Sequence, residues 1–219
     1  KASHYHKRNV MEMVEKTDVA IGLLHYRLAP KHPFPTALFD CLDAMDAIHK
    51  EESLKENIAK GFLIGGDSAG GNLAMGAALY QNDHDNLPIS GIMLIYPGVT
   101  EGITTESRKN YTDVPMFNAS MLPYLDKWVY PNGVGELHPY AFPYHHPRLE
   151  SLPKIYIETA EFDCLHDEGI AFAHRLVQAG NRVVLNETKG TVHGYDVVKN
   201  AEQTQLSKQQ RMEFIKSCL

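Results

Sequence analysis

Short, nearly unbroken apolar runs, spaced by stretches of helical periodicity, constrain this chain more than any other feature it has. A strand with one wet face alternates apolar and polar residues, whereas a run that is apolar throughout is covered on both faces, as in a parallel sheet. The runs at residues 19–25, 61–65, 89–96, 154–160 and 182–187 are expected to be such strands. Between them, Leu38, Cys41, Leu42, Met45 and Ile48 share one helical face, and Leu73, Ala74, Ala77 and Ala78 share another. Asp167 is placed to cap a helix that carries Ile170, Ala173, Leu176 and Val177 and stops at Gly180, and a last helix is expected over residues 202–216. Strand–helix alternation of this kind predicts an α/β fold, an open and mostly parallel sheet with helices on both faces.

A chain of 219 residues is long enough for one domain with a substantial core, and residues 1–219 are expected to form one. One stretch interrupts the rhythm: residues 98–147 hold no strand pattern, a helix over about 120–130, and many aromatics. An insertion of that length between strands is expected to act as a lid or pocket wall. The net charge of −6 argues against a nucleic-acid partner and against adhesion to anionic lipid, and no apolar run is long enough to span a bilayer. Three cysteines, Cys41, Cys164 and Cys218, without motif spacing argue against a disulfide framework and favour a reducing, cytoplasmic location. A secretion signal on a longer precursor is left open, as is a homodimer.

Gly66-Asp67-Ser68-Ala69-Gly70 stands directly after one strand candidate and directly before a helix. In that context G-x-S-x-G marks a sharp turn that lifts a serine hydroxyl above the sheet, and its glycines allow backbone to pass close to backbone. The start of the following helix lends positive potential, and the Ala69 N–H can donate to an oxyanion. A serine nucleophile needs a base, and the base an orienting acid. Asp163, just past the strand candidate at 154–160, is the best placed acid, with Glu161 as runner-up; Asp167 and Glu168 read as helix-start residues. His193, on the loop between the last strand and the last helix, is the expected base, and the order Ser68, Asp163, His193 suits such a sheet. His4, His6, His145 and His146 read as bystanders, no metal site is expected, and the mixed charges of residues 50–60 read as a solvated face.

These residues resemble the hormone-sensitive-lipase-type family of α/β-hydrolase esterases. His25-Tyr26-Arg27-Leu28-Ala29-Pro30-Lys31-His32-Pro33-Phe34-Pro35 is similar to its D-Y-R-L-A-P-E-H-P-F-P segment, and residues 66–74 are similar to its G-D-S-A-G-G-N-L-A elbow. Asp163 to Gly169 resembles its D-P-L-x-D-E-G, and His193-Gly194-Tyr195 its H-G-F. The resemblance implies the α/β-hydrolase fold, hydrolysis of small carboxylic esters with short to medium acyl groups, and no cofactor. His25 and Cys164 depart from the family's aspartate and proline; Cys164 is expected to loosen the acid loop and to put a thiol near the site. The family's H-G-G-G loop, which supplies oxyanion donors, would precede the helix expected at 3–16, and its third strand would lie between the strand candidates at 19–25 and 61–65. The protein is therefore expected to be longer at its N-terminus by several tens of residues, unless the chain repacks or borrows strands from a partner. An amidase such as a formamidase, or a non-catalytic binding protein on the same scaffold, are the alternative readings.

Overall fold

The computed structural model describes residues 3–58, 61–84 and 87–218. Its sheet is parallel and runs in sequence order: β1 (Phe62–Asp67), β2 (Ile89–Ile95), β3 (Lys154–Ala160) and β4 (Val183–Thr188). The helices are α1 (His4–Thr17), α2 (Thr36–Lys50), α3 (Ala69–His84), α4 (Glu106–Asn110), α5 (Leu122–Val129), α6 (His138–Ala141), α7 (His166–Gln178) and α8 (Glu202–Cys218). The expected strands from 61, 89, 154 and 182 onward are all present within two residues, the usual scatter of strand ends.

Period-two geometry divides each central strand between two cores. Ile92 and Leu94 of β2, with Ile155 and Ile157 of β3, pack against Met75, Leu79, Phe172 and Leu176 on one face. Met93, Ile95 and Tyr156 pack on the other face against Phe214 and Ile215 of α8. A smaller cluster seats Leu38, Leu42 and Met45 of α2 against Ala77 of α3. Because α3 lies between sheet, α2 and α6, small residues dominate it; a Cβ on Gly76 would run into the Tyr140 carbonyl.

Residues 19–25 correct an expectation. They form no strand, and Leu23 and Leu24 stand partly exposed. A strand exists only as part of a ladder, and among the described residues β1 pairs with β2 alone. The sheet accordingly contains no internal gap. The downstream segment still docks as a unit: the Arg27 guanidinium grips Asp40 of α2, and the Phe34 N–H donates to the Val129 carbonyl at 2.8 Å.

Three smaller corrections concern helices. The stretch 98–147 has no strand among its residues, but it holds α4 and α6 besides the helix expected near 120–130. Asp167 does not cap α7; it sits inside the first turn, and its carboxylate accepts the Ser107 N–H at 2.8 Å. Val177 points outward, 54% exposed, while Phe172, Ala173 and Leu176 form the buried face. Gly180 ends α7 as expected, with φ +86°, a region where a side chain would be strained. The charge run at 50–60 is exposed through Glu56, and its last two residues lie outside the described residues.

Candidate active site

The serine turn is built by steric necessity. Ser68 has φ +55°, uncommon for a residue with a Cβ, and its N–H donates to the Ile95 carbonyl at 2.8 Å. A Cβ on Gly66 would collide with the Gly70 backbone, one on Gly65 would lie 2.7 Å from the Met93 carbonyl oxygen, and one on Gly71 would lie 3.1 Å from the Gly66 oxygen. Gly70 differs from expectation: a Cβ there meets nothing within 4 Å, so the close approach is made by its backbone and not by its missing side chain. Ala69 opens α3, where the first N–H groups have no acceptor within the helix.

The acid and base loops are laced together. The Phe162 N–H donates to the Thr191 carbonyl at 2.8 Å, and the Gly190 N–H donates to the Glu161 carboxylate at 2.7 Å. Glu161, the runner-up acid, thus holds the base loop's backbone. Asp163 is fully buried; one carboxylate oxygen accepts the Leu165 N–H at 2.9 Å, and the other lies 2.6 Å from His193 Nδ1. His193 is 8% exposed, and its Nε2 lies 2.9 Å from Ser68 Oγ. The three residues singled out in the sequence therefore come together in one hydrogen-bonded chain. With Nδ1 facing a carboxylate, the neutral ring carries its proton there and presents an Nε2 lone pair to the hydroxyl.

Behind His193 lies a buried polar network that the sequence did not reveal. The Tyr96 ring packs 4.7 Å from the imidazole, centroid to centroid, and its hydroxyl donates to Asp196 at 2.8 Å. Arg211 of α8 donates to the other Asp196 oxygen at 2.7 Å and grips Glu158 with its remaining nitrogens. The Tyr156 and Tyr195 hydroxyls donate to Glu158 at 2.7 and 2.8 Å. Burial and the Asp196 charge push the Tyr96 phenol far above its ordinary range, so it remains a donor. Burial also pushes the Asp196 carboxyl up, but Arg211 and the Tyr5 and Tyr96 hydroxyls outweigh it and hold the group ionised.

Other expectations resolve individually. His6 is no bystander: its Nε2 lies 3.2 Å from the carboxylate of Asp67, beside the serine, and its Nδ1 is 2.8 Å from Ser3 Oγ. His146, buried to 1%, pairs with Asp83 at 2.9 Å, a partner too distant in sequence to be read locally. Glu168 is likewise buried and paired with Arg108 of α4, which fixes the insertion onto α7 beside the acid loop. Cys164 does not loosen that loop. It is fully buried, its carbonyl accepts the Ser107 hydroxyl at 3.1 Å, and burial next to Asp163 pushes its thiol up to about 12. Among the described residues no three His, Cys, Asp or Glu side chains gather as metal ligands, and no helix is long and apolar enough to cross a membrane.

A parallel sheet with helices on both faces, a strained serine between the first strand and its helix, and an acid and a histidine on the loops after the third and fourth strands together define a class, the α/β hydrolases. The chain belongs to that family: the model of the α/β-hydrolase fold matches residues 1–197. It is 30% identical over 173 residues to the carboxylesterase NlhH of Mycobacterium tuberculosis, covering 78% of this chain and 54% of that one. It is 28% identical over 184 residues to the gibberellin receptor GID1A of Arabidopsis thaliana, covering 81% and 53%. In solved structures it is similar to the Pyrobaculum calidifontis esterase, at 30% identity and a TM-score of 0.90, covering 97% of this chain and 70% of that one. The chain spans about half the length of the curated relatives it matches, 54–56% for the carboxylesterase above and a viral α/β hydrolase.

Proposed function

We propose that this chain is a serine carboxylic ester hydrolase acting on small esters with short to medium acyl groups. The observation that supports the reading is the continuous hydrogen-bonded path from Ser68 Oγ through His193 to Asp163, at 2.9 and 2.6 Å. His193 Nε2 takes the Ser68 proton as Oγ bonds to the ester carbonyl carbon. Asp163 fixes the imidazole tautomer and stabilises the imidazolium, and the Ala69 N–H donates to the oxyanion. The imidazolium gives its proton to the departing alcohol. Water then attacks the acyl-serine, with His193 again as base, and Ser68 is restored as the acid leaves. No cofactor enters the scheme. Residues 98–147 wall the site in this reading.

The similarity to a hormone receptor favours a second reading, a binding protein on a hydrolase scaffold. An intact serine–histidine pair weighs against it, because binding alone does not require that alignment. Hydrolysis of p-nitrophenyl acetate, butyrate and decanoate by the chain and by Ser68→Ala separates the two. Turnover lost by at least about 10⁴-fold in the variant, with the acetate or butyrate preferred, supports the esterase. A folded sample without turnover, or one whose turnover survives Ser68→Ala, overturns it.

A further inference from the structure

The insertion places apolar side chains against the histidine and its loop. Between Tyr111 and Ala119 the chain folds into a tight loop, closed by the Ala119 N–H donating to the Tyr111 carbonyl at 2.9 Å. At its tip Met116 has φ +69°, a conformation that an unbranched L side chain seldom adopts and that recurs at ligand-contacting positions. The side chain is 61% exposed, yet its Cε would lie 3.5 Å from a methyl group built on Gly194, the residue after His193. The next residue, Phe117, is half-buried and packs its ring, tilted by 46°, 4.9 Å from the His193 imidazole, centroid to centroid. Tyr111 at the loop's base meets Phe162 of the acid loop edge to face at 6.0 Å, and Phe162 is 41% exposed.

His193 must deliver its proton to the leaving oxygen, so that oxygen sits about 3 Å from Nε2. The first carbons beyond it then touch whatever packs on the imidazole. The acyl chain departs differently, from a carbonyl carbon bonded to Ser68 whose oxyanion points to the Ala69 N–H. Two aromatic rings flank the imidazole. Tyr96 is 3% exposed and its hydroxyl is committed to Asp196, whereas Phe117 is only half-buried, so of the two rings Phe117 is the one with surface left for a ligand.

We infer that Phe117, with Met116, forms the apolar wall of the leaving-alcohol subsite and sets a preference for esters of apolar alcohols. The inference rests on the esterase reading. Unbranched alkyl alcohols are nearly equal as leaving groups, so a series of methyl, butyl and hexyl acetates varies only the alcohol's apolar surface. Each methylene buried is worth about four-fold in kcat/KM. The wild type is expected to favour hexyl over methyl acetate, and Phe117→Ala to reduce that ratio by about ten-fold. Phe117→Leu, which keeps an apolar wall, should recover most of it. The ratio along methyl acetate, butyrate and hexanoate should stay unchanged in both variants. A ring that merely steadies His193 would lower every ester alike and leave both ratios intact, which overturns the inference. Loss of the acyl-chain ratio in place of the alcohol ratio overturns it too. If wild-type turnover is absent or independent of Ser68, the esterase reading itself fails; Ser68-dependent turnover with an unmoved alcohol ratio sinks only the subsite.

Discussion

At the scale of single residues the serine turn carries a testable asymmetry. Gly66 and Gly70 look equivalent in the sequence, flanking Ser68 at equal distance, yet only Gly66 has no room for a side chain. Gly66→Ala must push the α3 start away from β1, moving Ser68 Oγ relative to His193, and misplacement of about 1 Å costs on the order of 10²-fold in rate. Gly70→Ala meets open space at a helical φ, and it should change stability by less than about 1 kcal/mol, with a gain from a less floppy unfolded chain. Thermal unfolding of both variants checks this; a Gly70→Ala loss exceeding that of Gly66→Ala would contradict it. The three residues of the serine–histidine–aspartate path were legible because each stands at a strand's end in a local pattern that a turn or loop imposes. His6, Tyr96 and Phe117 were not, because their meaning lies in pairings with Asp67, Asp196 and His193 that only the folded chain brings together.

At the scale of elements the same distinction holds. The strands at 89–96 and 154–160 could be read because parallel strands covered on both faces are apolar throughout, whatever their neighbours. The run at 19–25 has the same composition, but a strand is defined by its ladder, and no window of sequence states whether a partner lies alongside. The last helix illustrates a further hidden dependence. A last helix is expected over residues 202–216, where α8 lies, but nothing local indicates that Arg211 is driven, 1% exposed, between Glu158 and Asp196. Removing one partner of a buried ion pair strands the others in low dielectric, at a cost of about 3–5 kcal/mol. Arg211→Met, close in size, should lower unfolding stability in urea by that amount, and a loss under about 1 kcal/mol would show that the network is dispensable. Turnover should fall as well, because Tyr96, which packs on His193, is tethered through Asp196 to the same guanidinium.

At the scale of the whole molecule the sheet's edges differ from its centre. Among the described residues β2 and β3 have ladder partners on both sides, whereas β1 pairs only with β2 and β4 only with β3. The burial follows: Ile92, Leu94, Ile155 and Ile157 are wholly enclosed, while Val184 of β4 is 51% exposed and β1 is at best half-buried. An amide exchanges with solvent only when its hydrogen bond opens, and a central strand opens with the whole core while an edge can open alone. Hydrogen exchange should therefore be slowest over β2 and β3 and faster, by roughly ten-fold or more, over β1 and β4. A row of unpaired N–H and C=O groups is also a template for another strand, so the outer edge of β1 is where a second copy could add. Repeating the exchange at rising protein concentration tells these cases apart. Protection of β1 that stays below that of β2 and ignores concentration fits a sheet that ends there. Protection that climbs with concentration until β1 matches β2 means that a second chain completes the ladder, and the edge seen in the lone chain is then an interface.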